Sequence, residues 1–438
     1  MASKSSSTLA FQKRLNESCA CSGNGEIGEA FSVLRTAGLA VQGLVAIAPE
    51  VDPLAVADPN GPTISDSPMT FVPQARVARP RPRIDDAQTL LLSVGGQGTV
   101  VCGIGADGSL TPQGRVVVGD EDGEGPGWLI GASCGRLYRV QDPSAAPVMG
   151  SNGGDVSLNG RWALAYSYGT GEAAVLRLGW EGVADGDVTG WVEGTLRTHT
   201  ERCEYDPALA DRQDQSHLHQ ARLHPISQRW AFFPDLGCDK IWIYQFDPVL
   251  GTLADEPSSL DLPHGAGPRH MDFSPSGAFV YITCELDGNV AVASFDDASG
   301  AMEIVQIISA LPVGSEPDRG PNMGNAHIRC DLDGRNVYTT TRSDNGITTF
   351  AVSEGGAKLS YVQHVPSGGG CPVHFGLDPN RRWLWCANSK SSNVVTFEVS
   401  PTDGSLTQRA TLELPASAGY VASPPKRLAL GALLPTKL

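Results

Sequence analysis

Residues 268–302 read "PRHMDFSPSGAFVYITCELDGNVAVASFDDASGAM". A short segment leads into the turn S-P-S-G, and an aromatic-rich run follows. The polar L-D-G then gives way to the alternating run "NVAVASF", and D-D-A-S-G turns the chain into a further apolar stretch. Alternating β-branched runs punctuated by Gly and Asp turns mark antiparallel strands.

The pattern recurs. "HLHQARLHPISQRWAFFPDLGCDKIWIYQFDPVLGTL" starts at His217, "NAHIRCDLDGRNVYTTTRSDNGITTFAVSEGGAKL" at Asn325 and "PVHFGLDPNRRWLWCANSKSSNVVTFEVSPTDGSL" at Pro372. Including Pro268, successive starts lie 51, 57 and 47 residues apart. Upstream, Asn152–Trp180 is a fifth copy, Thr89–Val118 another, and "GPGWLIGASCGRLYRV" between them a shortened one. Four short strands in about 45 residues is the period of a propeller blade. The expected fold is all-β, a seven-bladed β-propeller of four-stranded antiparallel blades. It occupies residues 85–438, and residues 1–84 form an irregular or partly disordered segment. The W-D and G-H signatures of WD40 repeats are absent from these copies.

Composition agrees. The chain has 438 residues with 51 Gly, 31 Pro and only 18% charged residues, a balance that suits a turn-rich β protein. Its formal charge of −16 argues against a nucleic-acid partner. No apolar run reaches the roughly 18 residues of a membrane span, so no membrane association is expected. The first residues, "MASKSSSTLAFQKRLNES", lack the apolar core of a secretory signal, and residues 50–84 read as linker or irregular wrapping. The ten cysteines show no C-x-x-C spacing and mostly sit singly in apolar runs. Reduced thiols in a cytoplasmic protein are the expectation.

Equivalent positions of the repeats can be compared directly. His219 shares a column with Arg269, Ala326 and Val373, at the start of the innermost strand. His270, His327 and His374 fill the next column, which a period of two would turn to the opposite face. One residue type repeated at equivalent places suggests a structural role. A further column, at the end of the aromatic strand, holds Tyr168, Asp235, Glu285, Arg342 and Asn388. These five differ in charge and size, which suggests a cavity shared among blades; ion pairing between neighbouring blades is the structural alternative.

His217 and His219 form an H-x-H on one strand face. A metal site needs a third or fourth ligand, and the column mate Arg269 repels a cation, so no metal and no cofactor are expected. A satisfied polar strand and proton transfer by His219 both remain open.

The segments "DRQDQSHLHQARLHP", "GPRHMDFSPSG" and "CPVHFGLDPNRRWLWCANS" resemble the lactonase family of seven-bladed β-propellers. That family includes propeller-type 6-phosphogluconolactonases and the eukaryotic 3-carboxy-cis,cis-muconate lactonizing enzyme. The likeness runs over residues 152–413, carried by G-P-R-H before S-P-x-G and by D-L-G-x-D after H-x-H. It implies a catalytic set of His219, Arg269, Glu285 and Arg342 at the channel mouth. His217, Asp235, Asn388 and Tyr168 are candidate substrate contacts. Many relatives carry P-R-H in the last blade where this chain has "PVH", so Val373 removes one positive charge.

Such a set suits hydrolysis of a small anionic lactone. His219 would take a proton from water, the arginines would hold an anion or the oxyanion, and Glu285 would orient them or act as an acid. Cyclisation of a carboxymuconate by the same groups, or a non-catalytic binding platform, are the alternatives.

Overall fold

The computed structural model describes residues 89–94, 98–116, 128–131, 137–140, 154–178, 188–191, 195–199, 203, 207–312, 314–315, 324–422 and 433–434. The expected N-terminal segment 1–84 lies outside them. The chain divides into Met1–Arg76 and Val77–Leu438, and every described residue belongs to the second unit.

The described strands form seven antiparallel sheets, the seven blades of a propeller. Blade 5 is the plainest: Pro268–Phe273, Phe279–Cys284, Asn289–Phe295 and Met302–Ser309 pair in chain order. Blade 6 (Asn325–Cys330, Asn336–Thr341, Gly346–Ser353, Lys358–Pro366) repeats that order. So does blade 7 (Pro372–Leu377, Trp383–Asn388, Asn393–Val399, Leu406–Glu413). Blades 3 and 4 begin at Asp155–Val156 and Arg222–Leu223, and each carries five strands. Blade 2 is described as one hairpin, Trp128–Gly131 with Leu137–Val140.

The ring closes from the C-terminal side. Ala418–Ala422 supplies the innermost strand of blade 1, pairing antiparallel with Thr89–Val94 so that Val421 faces Leu92. Leu433–Leu434, from the tail, pairs with the outer strand Leu110–Val116 of that blade.

A twisted four-stranded sheet has two apolar faces, and each blade buries them against its neighbours. Phe232 and Ile243 of blade 4 pack with Phe273, Val280 and Ile282 of blade 5. Tyr281 and Val292 pack with Ile328 and Phe350 of blade 6. Trp383 and Trp385 of blade 7 meet Leu90 and Leu92 of blade 1. Each such side chain contributes about 1.5–3 kcal/mol on burial, so the radial stack holds the inner strands in place around the axis.

One expectation about the thiols is corrected. Cys203 and Cys238 form a disulfide across 35 residues of chain, although no spacing rule linked them. They meet because the fold folds the segment before the H-x-H back onto an inner hairpin of blade 4. Cys102, Cys284, Cys330, Cys371 and Cys386 are free and buried, as expected. A disulfide is uncommon in a reducing cytosol, so the thiols no longer argue for a cytoplasmic setting. Among the described residues no helix is long and apolar enough to cross a membrane.

Candidate active site

In blades 4, 5, 6 and 7 the second and third strands are joined by a four-residue hairpin loop at the inner end. In blade 5 Thr283 pairs with Val290; in blades 4, 6 and 7 the last pairs are Asp235 with Lys240, Thr341 with Gly346 and Asn388 with Asn393. The first loop residue donates its N–H to the residue before the innermost strand. Leu236 bonds His217 O, Glu285 bonds Gly267 O, Arg342 bonds Gly324 O and Ser389 bonds Cys371 O. Leu236, Glu285, Arg342 and Ser389 are therefore the true equivalents, and Tyr168 opens the matching loop of blade 3, where Tyr166 pairs with Ala173.

This register corrects two assignments. Asp235 and Asn388 lie one residue earlier than Glu285 and Arg342, on the last strand pair. The buried Asp235 carboxylate accepts from Ser216 Oγ, Trp242 Nε1 and the backbone N–H groups of His217, Gly237 and Cys238. Five donors saturate it as a structural staple, leaving nothing for a substrate. Asn388 is likewise buried, its Nδ2 donating to Ser367 O and Asn393 Oδ1.

Glu285 and Arg342, in contrast, converge with Arg269. Arg269 Nε lies 2.7 Å and Arg342 Nη2 2.9 Å from Glu285 Oε2. A third guanidinium, Arg212, donates through Nη2 to the other oxygen, Oε1. Sequence reasoning missed it, because Arg212 stands outside the repeat, on a short helix, Ala210–Gln213, ahead of blade 4. The polar run "DRQDQ" before the H-x-H was the only signal. Gln213 clips this helix down by donating to Leu236 O and Asp239 Oδ1, both at 2.9 Å. Gly324 allows the chain to pass over the site. A Cβ there would stand 1.5 Å from Glu285 O, so no other residue fits.

The cluster is almost closed to solvent, with Glu285, Arg269 and Arg342 at 1%, 4% and 4% exposure. Burial alone would raise the Glu285 pKa, but Arg342 and Arg269, with His219 and Arg212, hold it well below the carboxylate range. Glu285 is thus a fixed anion, which removes the expectation that it could serve as an acid. Burial and the neighbouring Arg342 push Arg269 down to about 10, against the pull of Glu285, so it remains a cation at neutral pH. Three guanidiniums against one carboxylate leave two net positive charges.

Each arginine spends part of its fork on this scaffold. Arg269 Nη1 donates to Ala326 O at 2.6 Å, and Arg342 Nε to Gly324 O at 3.0 Å. Arg212 Nη1 is buried with no hydrogen-bond partner among the described residues, so the cluster keeps a donor it can offer.

His219 adjoins them. Its N–H is fixed to Pro234 O at 2.8 Å, and its ring meets Tyr168 and His270 edge-on at 5.2 and 5.5 Å between centroids. Nδ1 has no hydrogen-bond partner among the described residues. Burial, then the charge of Arg269, keep this imidazole neutral well below its ordinary pKa. The other histidine of the H-x-H is occupied: His217 Nδ1 lies 2.8 Å from Tyr168 O and Nε2 2.9 Å from Asp214 Oδ1. Tyr168 stacks on that ring at 4.4 Å and also adjoins Arg212. Among the described residues no three His, Cys, Asp or Glu side chains group as a metal site would require.

The expected separation of the two inner-strand columns onto opposite faces is also corrected. Pro268 pairs with Cys284 but Met271 with Ile282, so Arg269 and His270 together oppose Thr283. Blade 6 has the same bulge at Ala326 and His327, and blade 7 a related one at Val373. A bulge turns two successive residues toward one side. The Thr283 and Thr340 hydroxyls bond the N–H of His270 and His327 at 3.3 and 3.1 Å, filling the gap in the ladder. Arg269 and His270 consequently touch instead of facing apart.

Comparison with known proteins fits this geometry. A family model described as "Lactonase, 7-bladed beta-propeller" matches residues 147–419. A Bacillus subtilis protein named 6-phosphogluconolactonase is 32% identical over 197 residues, which is 45% of this chain and 54% of that protein. The match thus spans about half the length of that curated relative. Among solved structures, a Lactobacillus plantarum protein superposes with a TM-score of 0.64 at 22% identity, covering 76% of this chain and 98% of that one. A periplasmic gluconolactonase of Pseudomonas aeruginosa gives 0.59 at 24% identity, with the same coverage. At such identities these two likenesses bear on the fold alone.

Proposed function

The chain belongs to the lactonase family of seven-bladed β-propellers, and from that premise we propose that it hydrolyses the ring ester of a small anionic lactone, a sugar-acid lactone bearing a phosphate or carboxylate. The observation that carries this reading is the convergence of Arg212, Arg269 and Arg342 on Glu285 beside a neutral His219.

Ring opening requires a nucleophilic water and a donor for the oxyanion that forms at the carbonyl. A neutral imidazole has a bare nitrogen that can accept the proton of that water, and burial favours the neutral form of His219. Arg269 and Arg342, immobilised by Glu285 and by backbone carbonyls, bring N–H groups that need not reorganise as charge develops. The excess of two positive charges favours an anionic substrate, and the fork of a guanidinium matches phosphate or carboxylate oxygens. Collapse of the tetrahedral intermediate expels the ring oxygen, which takes the proton from His219, leaving the open hydroxy acid. The resemblance to a 6-phosphogluconolactonase favours a phosphorylated sugar lactone. Val373, where many relatives have arginine, favours a substrate with fewer anionic groups to hold.

The test is direct. The purified chain is given 6-phosphogluconolactone, glucono-δ-lactone and 3-carboxymuconate, with the uncatalysed rate subtracted. Hydrolysis of the first above the second is the expected result. Cyclisation of the muconate with both lactones untouched would replace this reading by the reverse chemistry. No turnover of any of them would leave a binding platform.

A further inference from the structure

The loop that presents Arg342 carries a second charged residue that the reaction above does not use. Asp344 lies two residues further on, and its Oδ2 stands 2.9 Å from Nε2 of His364. His364 is mostly buried, on the outer strand Lys358–Pro366 of the same blade. Thr341 Oγ1 donates to the other oxygen, Oδ1. The far nitrogen of the ring, Nδ1, lies 2.8 Å from Oγ1 of the wholly buried Thr348. That hydroxyl in turn donates to Ala310 O at 2.5 Å. Ala310 follows the outer strand of blade 5, and its N–H bonds the carbonyl of Gly288, the last residue of the loop that Glu285 opens.

We propose that His364 is a positioning residue, the middle of a hydrogen-bonded bridge that holds the Arg342 loop of blade 6 against the Glu285 loop of blade 5. The proposal deepens the lactonase reading, because it rests on Arg342 acting on substrate.

The bridge has a fixed direction. A threonine hydroxyl has a single hydrogen, and the Ala310 carbonyl, which only accepts, takes it. Thr348 Oγ1 therefore accepts from His364, so Nδ1 is a donor. Nε2 faces the carboxylate of Asp344, and donation there makes the contact an ion pair. Burial alone would raise the Asp344 pKa, but His364 and Thr341 hold it below its ordinary value, so it stays an acceptor. The two ring nitrogens thus serve separate partners, one toward each loop.

The sequence makes room for this contact in one blade. Thr348 and His364 face each other across the outer strand pair, and Gly346, two residues before Thr348, lies on the same face. A Cβ at Gly346 would stand 2.1 Å from His364 Nε2 and displace the ring, so His364 reaches Asp344 only across a glycine. The residues that open the third strands of blades 4, 5 and 7 are instead Lys240, Asn289 and Asn393. The pairs that correspond to Thr348 and His364 are Trp242 with Ser259, Ala291 with Ile307 and Val395 with Thr411, none of them ionisable. Packing common to all four blades therefore requires neither the glycine nor the histidine. Both departures fall in the blade that carries Arg342.

The experiment follows amide hydrogen exchange in the full chain and in its Thr348→Val and His364→Gln variants. Thr348→Val is isosteric and cuts the bridge without touching Asp344, so it serves even where His364→Gln fails to fold. The Glu285 N–H is bonded to Gly267 O and the Arg342 N–H to Gly324 O, so these amides report how firmly their loops are seated. In either variant both should exchange about tenfold faster, while the amides of Trp383–Asn388 in blade 7 keep their rate. Acceleration at one loop only, at neither, or throughout the chain overturns the bridge, whether or not any lactone is hydrolysed. Failure of hydrolysis with this pattern intact counts against the functional reading instead. The second arm is kinetic. Each variant should raise KM about tenfold with a smaller fall in kcat, and neither should add to the loss caused by Arg342→Lys. Fully additive losses would show that His364 does not act through Arg342.

Discussion

Arg269 Nε lies 2.7 Å from Glu285 Oε2, and the two residues stand at the start of one strand and just past the end of its antiparallel neighbour. The hairpin returns the chain to the same rim, so a cation and an anion separated by a whole strand pair meet at the inner end of the blade.

Because Arg212 and Arg342 share that carboxylate, Glu285→Gln should be costly to stability. Three buried guanidiniums would lose their common counter-ion, and breaking a buried pair of this kind typically costs about 3–5 kcal/mol. Urea denaturation should register the loss. The milder Arg269→Lys keeps the charge but not the fork, and kcat/KM should fall roughly 100- to 1,000-fold, as for loss of one oxyanion donor. Unchanged turnover in Arg269→Lys would remove this arginine from the reaction.

The Cys203–Cys238 disulfide ties the segment carrying Arg212 to the loop that follows Asp235. Closing a loop of 35 residues is worth about 4 kcal/mol in the chain-entropy model. Cys238→Ser should lower the urea midpoint and raise KM by loosening Arg212. Alkylation without reductant followed by peptide mapping should find Cys203 and Cys238 protected. Labelling of both would contradict the bond.

Chelation should leave turnover unchanged. Both ring nitrogens of His217 already have partners, and three guanidiniums surround the carboxylate nearest His219. Inhibition by EDTA that one added metal reverses would reinstate the H-x-H as a ligand pair.

Much of this arrangement was legible in the chain. The four-strand repeat gave the propeller, and the resemblance to the lactonase family picked His219, Arg269, Glu285 and Arg342 out of columns whose residues differ in charge and size. What failed was anything decided by one residue of register. Asp235 and Asn388 each end an apolar run, as Glu285 and Arg342 do, but loop hydrogen bonding places them one step earlier. The bulge at Arg269 and His270 leaves no mark in a period-two pattern, since only pairing with Cys284 and Ile282 reveals it. Arg212 and the disulfide come from a segment with no counterpart in other blades, so internal comparison could not reach them.

The imidazoles give the molecule a steep acid limit. His219, His270, His327 and His374 are held neutral by burial, and Arg269 adds to the effect at each of them. Their folded pKa values lie well below the roughly 6.5 of an unfolded chain. Above that pH neither state binds these protons and stability is at its full value. As pH falls below it the unfolded chain takes them up while the folded one does not, so stability drops. The slope is about 1.4 kcal/mol per imidazole per pH unit, and four together give on the order of 5 kcal/mol per unit. Glu285 works in the same direction but only lower down, because its stabilisation is lost below the ordinary carboxylate range of about 4.3. A domain is typically stable by only about 5–15 kcal/mol, so a loss of this order per unit is a large share of the total. Urea titrations at about pH 8, 7, 6 and 5.5 should show a plateau and then a steep fall. His374→Gln should reduce the slope by about one proton. A stability that stays level from about pH 7 to 5.5 would mean that these imidazoles accept protons in the folded chain, and that Arg269 does not hold them neutral.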